Sequence, residues 1–206
     1  MTSRKECKAI AKDILKGQWA VGLVVLLIQG LVSAALATLT AGIGAFLFSS
    51  IIMIAGYNVF INGYAGKKYQ VEDMFSNVKE SLTNRICLSV LKNIFIVLWT
   101  MLFIIPGIVK SYSYFLSEFI SMKNPEMSAN DCITESRKLM NGHKWELFVF
   151  QLSFIGWHLL AILTLGILYI WLAPYISQAT IVYIDKNIYP LLNEEAEVVE
   201  PEELEF

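Results

Sequence analysis

Lys92 and Glu118 stand out first among these 206 residues, because each is a charge inside a long apolar run. A lysine and a glutamate at membrane depth can offset each other's desolvation as an ion pair. The competing reading is that Lys92 snorkels to the headgroups and Glu118 reaches the interface from a short helix. The other polar side chains within apolar runs are Asn58, Asn62, Asn93, Gln151, His158, Tyr175 and Gln178. Five of the set, Asn58, Lys92, Glu118, Gln151 and Gln178, lie about four to seven residues from the same end of their segments, or roughly 6–10 Å deep at the rise of an α-helix. The spacing predicts one polar layer, open on one side, able to hold a small molecule or lipid.

Asn58 and Asn62 are one helical turn apart beside Gly56, Gly63 and Gly66. That pattern suits a binding stripe, or close helix packing with amide hydrogen bonds, and packing is the stronger reading. His158 follows Gln151 by seven residues on the same helical face and reads as a packed histidine. Pro174 should kink its helix, and Gln178 or Tyr175 could meet the freed carbonyl. Catalytic motifs are missing: HExxH, GxSxG, a phosphate-binding glycine loop and a dinucleotide fingerprint are not found. Ser76-x-x-Lys79 and His143-x-x-Glu146 match catalytic or metal spacings only superficially. No enzyme, cofactor or metal site is expected.

The elements that would carry these residues are membrane spans. The chain is 56% hydrophobic and 17% charged, well below the charged fraction of a soluble domain, with a mean hydropathy of +0.55. Such a balance excludes disorder and a basic nucleic-acid binder. Trp19 to Leu39 and Ile43 to Ala65 are charge-free and long enough to cross a bilayer. Ile86 to Ile105 follows and is expected to reverse at Pro106-Gly107 into the short run Ile108 to Met122. Leu147 to Leu163 and Ile167 to Ile184 form a last pair. The expected fold is therefore all-α and polytopic, with six transmembrane helices in three hairpins.

Charge placement decides the count against five spans. Arg4, Lys5, Lys8, Lys12, Lys16, Lys67, Lys68, Lys79, Arg85, Lys123, Arg137, Lys138, Lys144 and Lys186 all fall on one side of a six-span arrangement, and the opposite turns carry no base. Bases mark the cytoplasmic side, so both termini are expected there. A cleaved leader ending near Ala35-Leu36-Ala37 is disfavoured by Glu6 and Asp13 ahead of the apolar run. Cys7, Cys87 and Cys132 have neither the number nor the spacing of a disulfide framework or zinc site.

Each hairpin is preceded by an amphipathic cytoplasmic segment. Ser3-x-x-Glu6 caps one over residues 1–18. A stripe of Val71, Met74, Phe75, Val78 and Leu82 marks a second over 71–83, and Ser128-x-x-Asp131 caps a third over 128–142. These helices lie on the inner leaflet or pack as connectors. Leu36-Ala-Thr-Leu-Thr-Ala-Gly-Ile and Leu160-Ala-Ile-Leu-Thr-Leu-Gly-Ile read alike at the first and third outer turns, which suggests a threefold repeat. The transmembrane domain spans 19–190, and 191–206 is an acidic tail, expected to be disordered, with seven glutamates after Asn193.

Leu102-Phe-Ile-Ile-Pro-Gly-Ile-Val-Lys-Ser-Tyr-Ser-Tyr114, Asn124-Pro-Glu-Met-Ser-Ala, Glu135-Ser-Arg-Lys-Leu-Met-Asn-Gly-His-Lys-Trp-Glu-Leu-Phe148 and Gln151-Leu-Ser-Phe-Ile-Gly-Trp157 are distinctive. With Leu163-Thr-Leu-Gly166 and Trp171-Leu-Ala-Pro-Tyr175 they resemble the bacterial integral membrane family filed as "domain of unknown function 975". The resemblance implies an all-helical protein of the bacterial cytoplasmic membrane and carries no reaction. Two roles fit the sequence. One is binding or moving a small molecule or lipid through the polar layer. The other is a scaffold or regulator whose cytoplasmic helices and acidic tail meet a protein partner. No nucleic-acid partner is expected.

Overall fold

The computed structural model describes residues 2–75 and 81–190. It begins with helix α1, Arg4–Leu15, set by the expected capping box: Ser3 Oγ accepts from the Glu6 N–H, and the Glu6 carboxylate accepts from the Ser3 N–H. Gly17, at φ +77°, ends it in the left-handed region that glycine enters without cost. Helices α2 (Trp19–Leu39) and α3 (Ile43–Tyr64) form the first hairpin, followed by a short 3-10 turn at Val71–Met74. Next come α4 (Leu82–Leu102), α5 (Ile104–Ser113), α6 (Ser117–Lys123) and α7 (Ala129–Leu139). Helices α8 (Lys144–Leu152), α9 (Ile155–Leu163) and α10 (Tyr169–Asn187) close the chain. No strand occurs among the described residues. Residues Trp19–Leu39, Ile43–Tyr64, Leu82–Leu102 and Lys144–Leu163 are long and apolar enough to cross a membrane.

Two expected spans are interrupted. The run Ile108 to Met122 falls into α5 and α6 around Tyr114, Phe115 and Leu116. Lys144–Leu163 breaks at Ser153 and Phe154. Both breaks are stitched by amphipathic helices. Ser136 of α7 donates to the Ser113 carbonyl at 2.8 Å and accepts from the Leu116 N–H at 3.2 Å. Lys8 of α1 donates to the Ser153 carbonyl at 3.1 Å, with its ammonium 4.0 Å from the centre of the Phe154 ring. These helices therefore satisfy main-chain groups that an interrupted span leaves open.

The amphipathic segments are packed connectors. Cys7, Ala11 and Leu15 of α1 and Cys132, Ile133 and Leu139 of α7 are buried in the protein core. Each connector packs on the hairpin that precedes it in a ring: the 3-10 turn on α2 and α3, α7 on α4 and α6, and α1 on α10 of the last hairpin. Of the middle connector the opening 3-10 turn is described; Phe75 is exposed after it, and Leu82 belongs to α4. Val78 and the Ser76-x-x-Lys79 segment lie outside the described residues, as does the acidic tail.

The first and third hairpin turns match in geometry as their sequences do. Ala41-Gly42 and Leu165-Gly166 are both left-handed pairs. The Gly42 N–H bonds the Ala37 carbonyl at 2.7 Å, and the Gly166 N–H bonds the Ala161 carbonyl at 2.8 Å. Because an alanine in that region costs about 1–2 kcal/mol, Ala41→Gly should raise the melting temperature in detergent by a few degrees. A lower value would contradict the strain. The middle hairpin reverses earlier than expected. Phe103 is the extended residue, at φ −157° and ψ 138°, and Pro106 sits in the first turn of α5, where its missing N–H costs nothing. A Cβ at Gly107 would overlap Thr100, so the glycine sets how closely α5 lies on α4.

At one end of the molecule the hairpins share a core that includes α1 and α7. At the other, the tips project apolar side chains outward: Leu39, Met101 and Leu165 are 83%, 82% and 93% exposed. In an aqueous protein such tips would be a liability. In hydrocarbon they are the lipid-facing surface.

Candidate functional site

The break after α5 turns Glu118 into the first turn of α6, where it is buried against α3 and α4. Lys92 Nζ contacts Glu118 Oε1 directly. The Ser50 hydroxyl donates to the same oxygen at 3.3 Å, and the Ser117 hydroxyl donates to Oε2 at 3.2 Å. Side-chain exposure is 15% for Lys92 and 2% for Glu118, which leaves little room for Lys92 to snorkel. One turn before Lys92, Ser89 Oγ accepts from the Ser50 N–H at 2.9 Å, and the adjoining Asn93 Nδ2 donates to the Phe46 carbonyl and Ser49 Oγ, both at 2.9 Å. Together these bonds form a polar seam joining α3, α4 and α6.

The remaining polar residues fall into separate groups rather than one layer. Gln178, fully buried, accepts from the Tyr69 hydroxyl, and its Nε2 has no hydrogen-bond partner among the described residues. Its bonded partner is therefore Tyr69, not the main chain freed by Pro174. Gln151 accepts from the Tyr112 hydroxyl at 2.7 Å. His158 Nδ1 is 2.9 Å from the Tyr169 hydroxyl across the third hairpin. The break at Ser153 removes the continuous helical register that would have put Gln151 and His158 on one face. Tyr175 stacks obliquely on Trp19 and meets Phe154 edge-on, at centroid distances of 6.5 and 5.7 Å. Asn58 is buried on α3, and Asn62 is half-buried one turn later.

The small residues of α3 act by close packing. A Cβ at Gly63 would overlap the Tyr69 ring, which is held by Gln178 at its hydroxyl and by Gln18 at its backbone N–H. Gly63→Ala should therefore cost about 1–3 kcal/mol, measured as a lower unfolding midpoint, and Tyr69→Leu in the same chain should restore part of the loss. Additive losses would show that the ring and the glycine do not conflict.

A cleft of about 260 Å³ opens between α2, α3, α8 and α10. Its walls carry Gln29, Tyr57, Gln151, Ser177 and Thr180 among apolar side chains, a balance suited to an amphipathic ligand. Gln29 was not among the expected site residues. Its sequence signal was a lone amide within a 21-residue apolar helix, one level from Gly56. The amide donates to the Ile52 carbonyl and occupies the space a Cβ at Gly56 would take. Of the nine expected site residues, Gln151 alone lines this cleft. No group of three or more histidine, cysteine or carboxylate side chains suited to a metal occurs among the described residues.

The thiols are shaped by burial. Cys132 is pushed up to about 11, chiefly by desolvation and then by Asp131, and desolvation also raises Cys7. A folded-state value above the unfolded one keeps stability intact below about pH 9 and removes it as pH rises toward 11. The wild-type melting temperature should therefore fall more steeply than that of Cys132→Ala between those values, and parallel curves would contradict the assignment.

The chain matches the family described as "Protein of unknown function (DUF975)" over residues 1–111 and 102–188. No curated protein and no solved structure matches it.

Proposed function

Because the chain belongs to the DUF975 family, whose description names no activity, its role must be read from geometry, and we propose a non-enzymatic six-span protein of the bacterial cytoplasmic membrane that binds a lipid or small amphipathic molecule in the cleft between α2, α3, α8 and α10. The observation that carries this reading is the cleft itself: two amides and three hydroxyls within an otherwise apolar wall at the meeting of four helices. In this reading α5–α6 and α10 are the two further spans. The break between α5 and α6 is tolerated because Ser136 meets the exposed main chain, and α10 runs unbroken past Pro174. Both termini face the cytoplasm, in keeping with bases concentrated at the packed end.

Native mass spectrometry of the protein purified in a mild detergent tests the binding directly. One ligand class should be retained by wild type and lost in Gln29→Leu/Gln151→Leu. Retention of the same bulk lipids by both would overturn the reading. Orientation needs introduced thiols, because Cys7 and Cys132 are buried. In a Cys87→Ser background, an impermeant maleimide should label Ala41→Cys but not Asn141→Cys in intact cells. The reverse pattern would invert the topology.

A scaffold reading draws on a different observation: Lys92, Glu118, Asn93 and Gln178 bond protein rather than facing a cavity. It predicts that removing residues 194–206 abolishes cellular function while the cleft substitutions leave it intact.

A further inference from the structure

A second recess lies at the packed end, away from the cleft, between α5, α7 and α8. Its volume is about 390 Å³, and four cations line it: Lys110 from α5, Arg137 and Lys138 from α7, and Lys144 from α8. Ser113, Thr134 and Asn141 complete the wall. Arg137 and Lys138 suit the negative end of the α7 dipole, and Lys138 pairs with Glu135 at 3.0 Å. Lys110 likewise lies in the last turn of α5, but Lys144 has no such reason to be there. Lys144 opens α8, the wrong end of a helix for a cation. Lys110 is the one charged residue of α5, and its ammonium covers the Trp99 ring at 4.7 Å. Among the described residues, neither Arg137 nor Lys144 has an ion-pair partner. With Lys138 already paired, the converging charges of Lys110, Arg137 and Lys144 repel one another unless an anion joins them.

We infer that this recess binds a phosphate-bearing anion, supplied either as the headgroup of an anionic phospholipid or as a soluble phosphate. The headgroup is favoured by what adjoins Lys110. Ile108 and Val109 are 52% and 46% exposed beside it, and Ile104 and Ile105 continue the apolar face of α5. A phospholipid seated with its phosphate among Lys110, Arg137 and Lys144 could run its chains along that face. Basic pockets between membrane helices hold anionic headgroups in this way.

The test uses the full chain in neutral detergent, with short-chain phosphatidylglycerol, phosphatidylcholine and inorganic phosphate as probes and the melting temperature as readout. Arg137→Gln/Lys144→Gln removes two recess charges. Lys5→Gln/Lys68→Gln removes two exposed charges elsewhere and keeps the net charge equal. Phosphatidylglycerol should raise the melting temperature of wild type and control alike, and the recess variant should need at least about tenfold more lipid for the same shift. Phosphatidylcholine should produce no shift. An inorganic phosphate effect that the recess variant weakens assigns the site to a soluble anion, and a lipid effect without one assigns it to the headgroup. Equal phosphatidylglycerol titrations for the recess variant and the control would overturn the inference, as would an equal response to phosphatidylcholine.

Discussion

Glu118→Gln and Lys92→Met are each expected to lower the unfolding free energy by about 3–5 kcal/mol, because each leaves the other member of the pair buried without its counter-charge. The local geometry makes the loss hard to avoid. Glu118 is 2% exposed, and its oxygens also receive the hydroxyls of Ser50 and Ser117. The double change Lys92→Met/Glu118→Leu should recover most of the stability, since well-packed apolar residues often replace a buried pair without penalty. Ser117 already donates to the Tyr114 carbonyl at 2.7 Å, and Ser50 can then bond a carbonyl of its own helix, as Ser89 and Ser113 do. A double-mutant cycle in detergent with no coupling between the two positions would show that Lys92 does not depend on Glu118.

Ser136→Ala should cost about 2–5 kcal/mol, although it removes a single oxygen. That hydroxyl is both donor to Ser113 and acceptor from Leu116 at the interruption between α5 and α6. Its loss leaves two buried main-chain groups unpaired where water cannot replace it. Ser136→Thr keeps both bonds possible and should cost much less. Alkylation of buried Cys132, four residues away on the same helix, supplies a second readout. It should quicken in Ser136→Ala as α7 loosens from the break, and wild-type rates would contradict the stitching role.

Much of this architecture follows from local chemistry. The capping box at Ser3, the side-chain cap at Ser128, the apolar runs of α2, α3 and α4, and the matched turns at Gly42 and Gly166 are set by neighbouring residues, so the sequence reveals them. The breaks at Tyr114–Leu116 and Ser153–Phe154 do not read in the same way. Neither contains proline or glycine, and each persists because a distant side chain, Ser136 or Lys8, meets its main chain. The reversal at Phe103 was displaced from Pro106-Gly107 for a related reason: proline is at ease in a first helical turn, and glycine served packing rather than turning. The polar residues were recognisable one by one. Their grouping depended on helix rotation, which hydropathy does not encode, so a single expected layer resolved into the Lys92–Glu118 seam, the Gln178–Tyr69 contact, the Gln151–Tyr112 contact and the His158–Tyr169 contact. Gln29 was overlooked because one amide in a long apolar run looks incidental until Gly56 is seen facing it.

The claim that the cleft holds an amphipathic ligand is tested most directly by photo-crosslinking in native membranes. A benzophenone amino acid at Met53, which lines the cleft, is compared with one at Leu31, which is 70% exposed on the outer apolar surface. The account predicts one dominant adduct mass at Met53, abolished by Gln29→Leu/Gln151→Leu, against a spread of bulk-lipid adducts at Leu31. The same spread of bulk lipids at both positions, unchanged by the substitutions, would contradict it.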